Sequence, residues 1–350
     1  MRIFSARNML VGCLLLGSLS TGAEINRKQA MRACLADGDP IESIVAGCSW
    51  LLESADALSI NMKLSAHLKR AVARNRLGEY ALAIEDIDQA IKIAPDASRL
   101  HQFRGVSYAQ LGKYKKSVRN HSAAIKLDNN NAEAWFYRGF GYSKLKDHRR
   151  AIADYNRAIE LQPDFLTAIN NRGQIYYNMG DCESALVDFN ASLELAPNSG
   201  LALLNRAECR FELGNVEGSL EDHRRSIELM PDNADVHNAS CWTKGLLGDG
   251  EGALADCNEA LRLEPGVAAF LDSRALAYYR LQQYELALAD EMEAMKEPSW
   301  ESYILRAAIY QQQGKSELAE ADYRKAKRLQ RDKSILEQRI RLLGLEPGLW

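Results

Sequence analysis

Hydrophobic and small residues recur along this chain with a period of 34 residues. One copy of the pattern, 166–199, contains an amphipathic stretch from Asn171 to Asn178, then Gly180, a second amphipathic stretch and Pro197. Apolar residues spaced three and four apart on both sides of a glycine are typical of two helices joined by a turn. The pattern begins at residues 64, 98, 132, 166, 200, 234 and 268, and an eighth copy begins near residue 300.

Three positions of the 34-residue unit carry small residues in every copy, whereas positions 11 and 24 are mostly larger. In the copy that begins at 166, the small residues are Gly173, Ala185 and Ser192. Because small side chains let two helices approach closely, the pattern predicts an antiparallel helical pair in each copy. A turn glycine can adopt the left-handed conformation that ends a helix. These glycines are Gly78, Gly112, Gly180, Gly214, Gly248 and Gly314.

The segments on either side of the eight repeats, which span 64–331, are less regular. Residues 24–63 are predicted to form a degenerate helical pair that resembles a repeat. After the last repeat, the stretch from Lys333 to Leu343 can form a single amphipathic helix. Since the terminal repeats of such arrays need a polar outer side, residues 332–350 are predicted to be a capping helix with a tail.

This 34-residue pattern closely resembles the tetratricopeptide repeat. The resemblance covers 64–331 and rests on eight consecutive copies, whereas 24–57 matches only weakly. It implies an all-α fold, a right-handed α-solenoid of stacked helix-turn-helix repeats whose concave face is built from the first helix of each repeat. Combined with the N-terminal segment, the pattern is similar to that of exported bacterial proteins of this family.

The first 23 residues differ in kind from the repeats. Arg2 and Arg7 precede an apolar run from Met9 to Leu19, and small residues lead to Ala23. This order is typical of a secretory signal peptide, so we predict cleavage after Ala23 and a periplasmic or secreted mature protein. Lipidation at Cys13 is the disfavoured alternative, because most of the apolar run follows Cys13. With no second apolar run, the mature chain is predicted to lack a transmembrane segment.

Composition indicates an ordinary folded protein. Charged residues make up 26% of the chain and hydrophobic residues 47%, and the formal net charge is −3. This charge gives no basic face for nucleic acid, which is therefore not a predicted partner. The sequence has no phosphate-binding loop, nucleophile elbow, His-Glu-x-x-His motif or zinc-ligand spacing. No cofactor, metal site or enzymatic activity is predicted.

The cysteines of the mature chain fall into two groups. Cys34 and Cys48 lie on the two predicted helices of 24–63, and an exported protein can form disulfides, so these two are predicted to be bridged. The others are Cys182, Cys209, Cys241 and Cys257, which occupy packing positions of the repeat and are interpreted as buried free thiols. The alternative is a second bridge between Cys241 and Cys257.

The most regular charged feature is an arginine at position 7 and an aspartate at position 23 of the repeat. These positions lie opposite each other in an antiparallel hairpin, which predicts a ladder of structural ion pairs. The alternative is a row of arginines that binds an anionic ligand. Two copies depart from the rule, at Ser240 and Asn120. The predicted pairs are Arg70–Asp86, Arg138–Asp154, Arg172–Asp188, Arg206–Asp222, Arg274–Asp290 and Arg306–Asp322.

The concave stripe at positions 2, 5, 6, 9, 12 and 13 is the predicted binding surface. Its aromatic side chains supply the contact area typical of binding hot spots. Its amides can donate to and accept from an extended peptide backbone. The alternative is that some rings pack under neighbouring helices. The stripe comprises Phe103, Phe136, Tyr137, Phe140, Asn170, Asn171, Gln174, Tyr177, Asn205, Phe211, Asn238, Trp242 and Tyr279.

One ligand class of the resembled family is disfavoured by these residues. Chaperone adaptors of the family bind acidic peptide C-termini through lysine, arginine and asparagine at positions 2, 5, 6 and 9. In the copy at 166 those positions are Thr167, Asn170, Asn171 and Gln174, so the asparagines are present but the basic residues are not. An acidic C-terminus is therefore not the predicted ligand.

The sequence thus predicts a non-enzymatic scaffold or adaptor, exported to the cell envelope, that binds a protein or extended peptide in its groove. The alternative is a docking or carrier subunit for envelope polysaccharide or peptidoglycan enzymes, in which the aromatic residues contact glycan directly.

Overall fold

The computed structural model describes residues 27–35, 40–54 and 58–343. These residues form nineteen α-helices and contain no strand. The predicted signal peptide, its predicted cleavage after Ala23 and the predicted C-terminal tail beyond Leu343 lie outside the described residues. In the described part of the chain, no helix has both the length and the apolar character needed to cross a bilayer.

The chain forms two compact units, one up to Leu145 and the other from Lys146. The first unit contains α1 (Arg27–Leu35), α2 (Ile41–Glu53), α3 (Ile60–Arg76), α4 (Tyr80–Ile93), α5 (Ser98–Gln110), α6 (Tyr114–Leu127) and α7 (Ala132–Lys144). The second contains α8 (His148–Leu161), α9 (Leu166–Asn178), α10 (Cys182–Leu195), α11 (Gly200–Glu212), α12 (Val216–Leu229), α13 (Ala234–Leu247), α14 (Gly250–Leu263), α15 (Ala268–Arg280), α16 (Tyr284–Ala294), α17 (Trp300–Gln312), α18 (Ser316–Leu329) and α19 (Lys333–Leu342).

Within each unit, consecutive helices pack as hairpins, and the small positions of the repeat lie where the two helices meet. A Cβ on Gly173 would lie 2.9 Å from Cε1 of Phe189 and 3.0 Å from Cβ of Asp188. Phe189 and Ala185 are fully buried in this contact. The prediction of an all-α architecture of helix-turn-helix repeats is confirmed.

The turn inside each repeat uses a residue in the left-handed backbone region. Gly180 has a φ of 78°. In the copies at 132 and 268, where the sequence lacks this glycine, Lys146 and Gln282 take the same conformation with φ of 61° and 59°. The turn geometry therefore persists without glycine, at the steric cost that a Cβ carries in this region.

Two disulfides hold helical pairs together. Cys34 of α1 is bonded to Cys48 of α2, and their Cα atoms lie 4.7 Å apart. Cys241 of α13 is bonded to Cys257 of α14, with Cα atoms 5.4 Å apart. The interpretation of the last two as free thiols is therefore wrong, because positions 8 and 24 of the repeat face each other across the hairpin. The other two packing cysteines, Cys182 and Cys209, are free and buried.

Candidate binding surface

The arginine at position 7 reaches across its own hairpin to the aspartate at position 23. Arg172 donates from Nε to Asp188 Oδ2 at 2.9 Å and from Nη2 to Oδ1 at 2.5 Å. Asp188 is 1% exposed, and this bidentate contact supplies its counter-charge. The same pairing joins Arg70 to Asp86, Arg206 to Asp222, Arg274 to Asp290 and Arg306 to Asp322. The Arg138–Asp154 pair spans the two units and stays a prediction.

The same arginines also reach back to the preceding helical pair, which the sequence analysis missed. Arg172 Nη1 donates to Asn156 Oδ1 at 2.7 Å, sixteen residues earlier in the chain. A small polar residue recurs at this position 25 of the repeat, and that recurrence was the available signal. The equivalent sixteen-residue contacts are Arg104 to Asp88, Arg138 to Ser122, Arg206 to Asn190 and Arg274 to Asn258. At the ends of the array, Arg70 donates to Ser49 of α2 and Arg306 contacts the Met292 sulfur.

The two departures from the arginine–aspartate rule are both compensated. Where Asn120 replaces the aspartate, Arg104 contacts its amide oxygen at 2.6 Å and takes its counter-charge from Asp88 of the preceding repeat at 2.5 Å. Where Ser240 replaces the arginine, its hydroxyl donates to Asp256 at 2.6 Å and Lys244 supplies the cation at 2.7 Å. Where one charged residue of the pair is absent, a neighbouring residue thus supplies the same charge. This is expected for a structural network and not for a ligand site.

In the first unit, three of the predicted groove aromatics belong to two separate groups of ring contacts. Tyr137 stacks on the buried His121 ring with centroids 5.5 Å apart, and Phe136 meets Tyr137 edge-on at 5.0 Å. Phe136 is 8% exposed and packs as core, whereas Tyr137 is half-buried. Phe140 meets Tyr114 edge-on at 6.4 Å and carries the Lys144 ammonium 5.2 Å from its ring centre.

The remaining groove aromatic of the first unit, Phe103, is also half-buried. Its ring lies 5.3 Å from the Arg99 guanidinium, which sits one turn earlier on α5. Phe103, Tyr137 and Phe140 are therefore the aromatic side chains of the predicted stripe that remain partly accessible in this unit.

In the second unit, the predicted amides have different environments. Asn170 and Asn238 each have a buried Oδ1 atom with no hydrogen-bond partner. Asn171 hydrogen-bonds the hydroxyl group of Tyr155, and Gln174 donates to Asn178 at 3.2 Å. The fifth predicted amide, Asn205, is half-buried on α11. Among these described amides, Asn170 and Asn238 therefore carry the buried acceptors that lack a hydrogen-bond partner.

The predicted aromatics of α11, α13 and α15 lie against or beside α19. Phe211 and Trp242 pack against the cluster that contains Leu336 and Ile340 of α19. Tyr279 is 8% exposed, and its hydroxyl donates to the Leu343 carbonyl at 3.3 Å. The alternative that rings pack under a helix therefore describes Tyr279, whose ring the C-terminal helix covers.

Family models for this repeat match four segments of the chain. The description "Tetratricopeptide repeat" matches residues 139–204, and a second model of that description matches 64–97 and 301–333. A model described as "TPR repeat" matches 105–146. The chain belongs to the tetratricopeptide repeat family. A comparison with curated protein sequences gives no significant match.

Solved structures of tetratricopeptide proteins resemble this chain in fold. The Pseudomonas aeruginosa pilF structure is 18% identical with a TM-score of 0.55, and the match covers 62% of this chain and 98% of that one. The Cut9–Hcn1 structure of the APC/C is 15% identical with a TM-score of 0.55, covering 86% and 54%. A tetratricopeptide repeat protein from Parabacteroides merdae is 21% identical with a TM-score of 0.49, covering 81% and 99%.

Carboxylates collect on the inner surface of the second unit of this tetratricopeptide repeat protein. Burial raises the pKa of Glu208, and the neighbouring Glu212 raises it further. Burial also raises the pKa of Glu301. Burial raises the pKa of Asp272, whereas its hydrogen bond with Glu291 of α16, which is fully buried beneath this surface, lowers it. Burial also raises the pKa of Glu291, and the charge of Asp272 raises it further. This acidic character was not predicted, because the acids occupy different repeat positions and show no period.

The histidines of this tetratricopeptide repeat protein serve packing or local hydrogen bonds. Burial lowers the pKa of His121 to about 3 and that of His223 to about 4, so both are neutral at ordinary pH. His67 lies 3.0 Å from Asp86, beside Arg70. Among the described residues, no group of three or more histidine, cysteine, aspartate or glutamate side chains could hold a metal ion.

Proposed function

We propose that this protein is a non-enzymatic scaffold of the cell envelope that binds a protein or an extended peptide on the inner face of its repeats. The observation that carries this proposal is the pair of buried, unpartnered acceptors, Asn170 Oδ1 and Asn238 Oδ1. They occupy the same position of two repeats in the second unit. A buried acceptor without a partner is costly, and because both side chains are partly exposed, rotation of each amide would bring its Oδ1 atom to a peptide N–H donor.

The contacts of the periodic arginines support a structural role for these arginines and a binding role for the other residues of the inner face. The position 7 arginines are engaged by aspartates of their own hairpins and by polar residues of the preceding ones. Their donors are therefore already used, which disfavours a row of arginines waiting for an anion. The amides and aromatic rings of the stripe, which do not recur in every repeat, remain as the groups that can contact a partner.

Removing the two unpartnered amides is expected to abolish capture of the partner. The Asn170→Ala/Asn238→Ala variant should melt at or above the wild-type temperature, because neither Oδ1 atom bonds to the protein and removing an unpartnered buried acceptor removes its cost. Capture from periplasmic extract, quantified by mass spectrometry, should fall at least tenfold. Val187→Ala, on the outer helix α10 and 68% exposed in the wild type, is the matched control.

Equal capture by wild type and the double-amide variant would refute a peptide site at these amides. A captured molecule that proves to be glycan, and that is released by Tyr137→Ala, would instead favour the docking or carrier function.

Export to the envelope is supported by the N-terminal sequence and is compatible with the two disulfides. The intact mass of the protein recovered from the periplasm is expected to be that of a chain beginning at Glu24. A periplasmic chain that keeps residues 1–23, or one that remains in the cytoplasmic fraction, would contradict the proposed signal peptide.

A further inference from the structure

The C-terminal helix α19 lies on the inner face of the last repeats. Its apolar residues Leu336 and Ile340 are 3% and 1% exposed. They belong to one buried cluster with Leu246 of α13, Leu276 of α15 and Ile304 of α17. These three partners occupy positions 13, 9 and 5 of their repeats, which are positions of the predicted concave stripe. The helix therefore covers the part of the predicted binding surface that α13, α15 and α17 form, and does not only cap the last repeat.

Arg339 is the charged contact of α19 with this surface. Its guanidinium lies 5.1 Å from the Trp242 ring centre and 5.9 Å from the Trp300 ring centre. Burial lowers the pKa of Arg339, and the carboxylates of Glu301, Glu212 and Asp272 oppose that shift. The carboxylates and the tryptophan rings therefore offset part of the cost of burying this cation.

The polar fit of Arg339 is nevertheless incomplete. Its Nη1 atom is buried without a hydrogen-bond partner, and so is Asp272 Oδ1. The site thus offers a buried acidic acceptor that the resident arginine does not bond directly. A segment that docks slightly differently could satisfy both groups.

The C-terminal end of α19 is held by two side chains of α15. Tyr279 donates to the Leu343 carbonyl at 3.3 Å, and Arg280 donates to the Leu342 carbonyl. Arg280 also donates to the carbonyls of Gly245 and Leu246 at the end of α13. These contacts are made to carbonyls in the last turns of helices, and any incoming helix would present such carbonyls too.

The helix fills only part of the available space. A cavity of about 740 Å³ lies beside α19 and is lined by Tyr177, Phe211, Trp300 and Ile335, among others. Ile335 itself is 42% exposed. The inner surface could therefore accept a longer or bulkier segment than the ten residues that occupy it.

We propose that the inner surface of α13, α15 and α17 is an acceptor site for an amphipathic helix that carries an arginine between aliphatic residues, and that a partner protein with such a segment displaces α19. The choice of partner follows from charge complementarity, since a neutral or acidic segment would leave Glu212, Asp272 and Glu301 without a counter-charge. The proposal rests on the proposed scaffold function and names the chemistry of its partner.

Because α19 already occupies this surface, it competes with any partner segment for the same site. A tethered helix competes at an effective concentration in the millimolar range for short linkers, and only three residues, 330–332, separate α18 from α19. A partner segment therefore binds more weakly to the wild type than to a protein whose α19 is undocked.

The test uses the full chain and a fluorescent synthetic peptide with the sequence of residues 331–343. The Leu336→Asp/Ile340→Asp variant is expected to bind this peptide at least tenfold more tightly than the wild type, measured by fluorescence anisotropy. A peptide carrying Arg339→Glu is expected not to bind. Adding Glu212→Gln and Glu301→Gln to the undocked protein should weaken binding of the original peptide at least tenfold.

Circular dichroism establishes that the undocked protein remains folded. If the double aspartate variant unfolds, Arg339→Glu in the chain undocks α19 by charge reversal and takes its place. Equal affinity for wild type and a folded undocked variant, or equal binding of both peptides, would overturn the proposal. If the wild type is a dimer and the undocked variant is a monomer, the proposal is also overturned, because α19 then docks on a second copy of the chain. If these peptide experiments fail but capture still depends on Asn170 and Asn238, the proposed scaffold function is retained and only the displacement of α19 is rejected.

Discussion

Replacing Asp188 with alanine is expected to lower the free energy of local opening of the α9–α10 hairpin by about 3–5 kcal/mol, the cost of leaving a buried charge without its partner. Asp188 is 1% exposed and receives two hydrogen bonds from Arg172, which would keep only Asn156 as a partner. Hydrogen exchange at the amides of α9 and α10 measures this free energy directly.

The chain contains its own control for this experiment. In the repeat at 98, Asn120 stands in place of the aspartate and Asp88 of the preceding repeat supplies the charge. The double variant Asp188→Asn/Asn156→Asp copies that arrangement around Arg172. It should recover most of the stability that Asp188→Asn alone loses. No recovery in the double variant would mean that the arginine does not link adjacent repeats.

Reduction of the two disulfides is expected to lower the melting temperature strongly. The bridges join residues 14 and 16 apart, and closing a loop of about 15 residues is worth about 3 kcal/mol in the chain-entropy model. A variant in which Cys34, Cys48, Cys241 and Cys257 are replaced by alanine should melt at the same temperature with and without reductant.

Alanine at the free cysteines is the matched control for this experiment. Cys182→Ala/Cys209→Ala keeps both bridges, so reductant should lower its melting temperature as much as that of the wild type. A wild type whose melting temperature is unaffected by reductant would contradict a stabilising role for the bridges.

Much of the architecture could be predicted because it is periodic. The 34-residue spacing of small residues placed every hairpin, and the sixteen-residue spacing of Arg172 and Asp188 placed their side chains on facing helices. Even the turns without glycine, at Lys146 and Gln282, keep the common backbone conformation. Periodic features are visible in one sequence because each copy confirms the register of the next.

The features that were missed depend on contacts between repeats or on a single non-repeated segment. The contact from Arg172 to Asn156 joins two copies, and pairing positions within one copy does not show it. The location of α19 was missed for a different reason. Its amphipathic pattern shows that one side is buried, but not whether Leu336 and Ile340 meet the end of the array or its inner face.

The inner-surface acids were also not predicted, although each was visible in the sequence. Glu212, Asp272 and Glu301 lie on three different helices and at three different repeat positions. Only the fold brings them around Arg339. Irregular residues of this kind distinguish one tetratricopeptide protein from another, because the periodic ones are used by the scaffold itself.

The division between scaffold and binding residues is tested most directly by one capture measurement on two variants. Partner capture from periplasmic extract is compared between Asn170→Ala/Asn238→Ala, which alters the inner surface, and Asp188→Asn/Asn156→Asp, which rearranges the charges around Arg172. The expected result is loss of capture by the first variant and wild-type capture by the second. Capture retained by the first and lost by a folded second variant would show that the arginine row, and not the amide stripe, binds the partner.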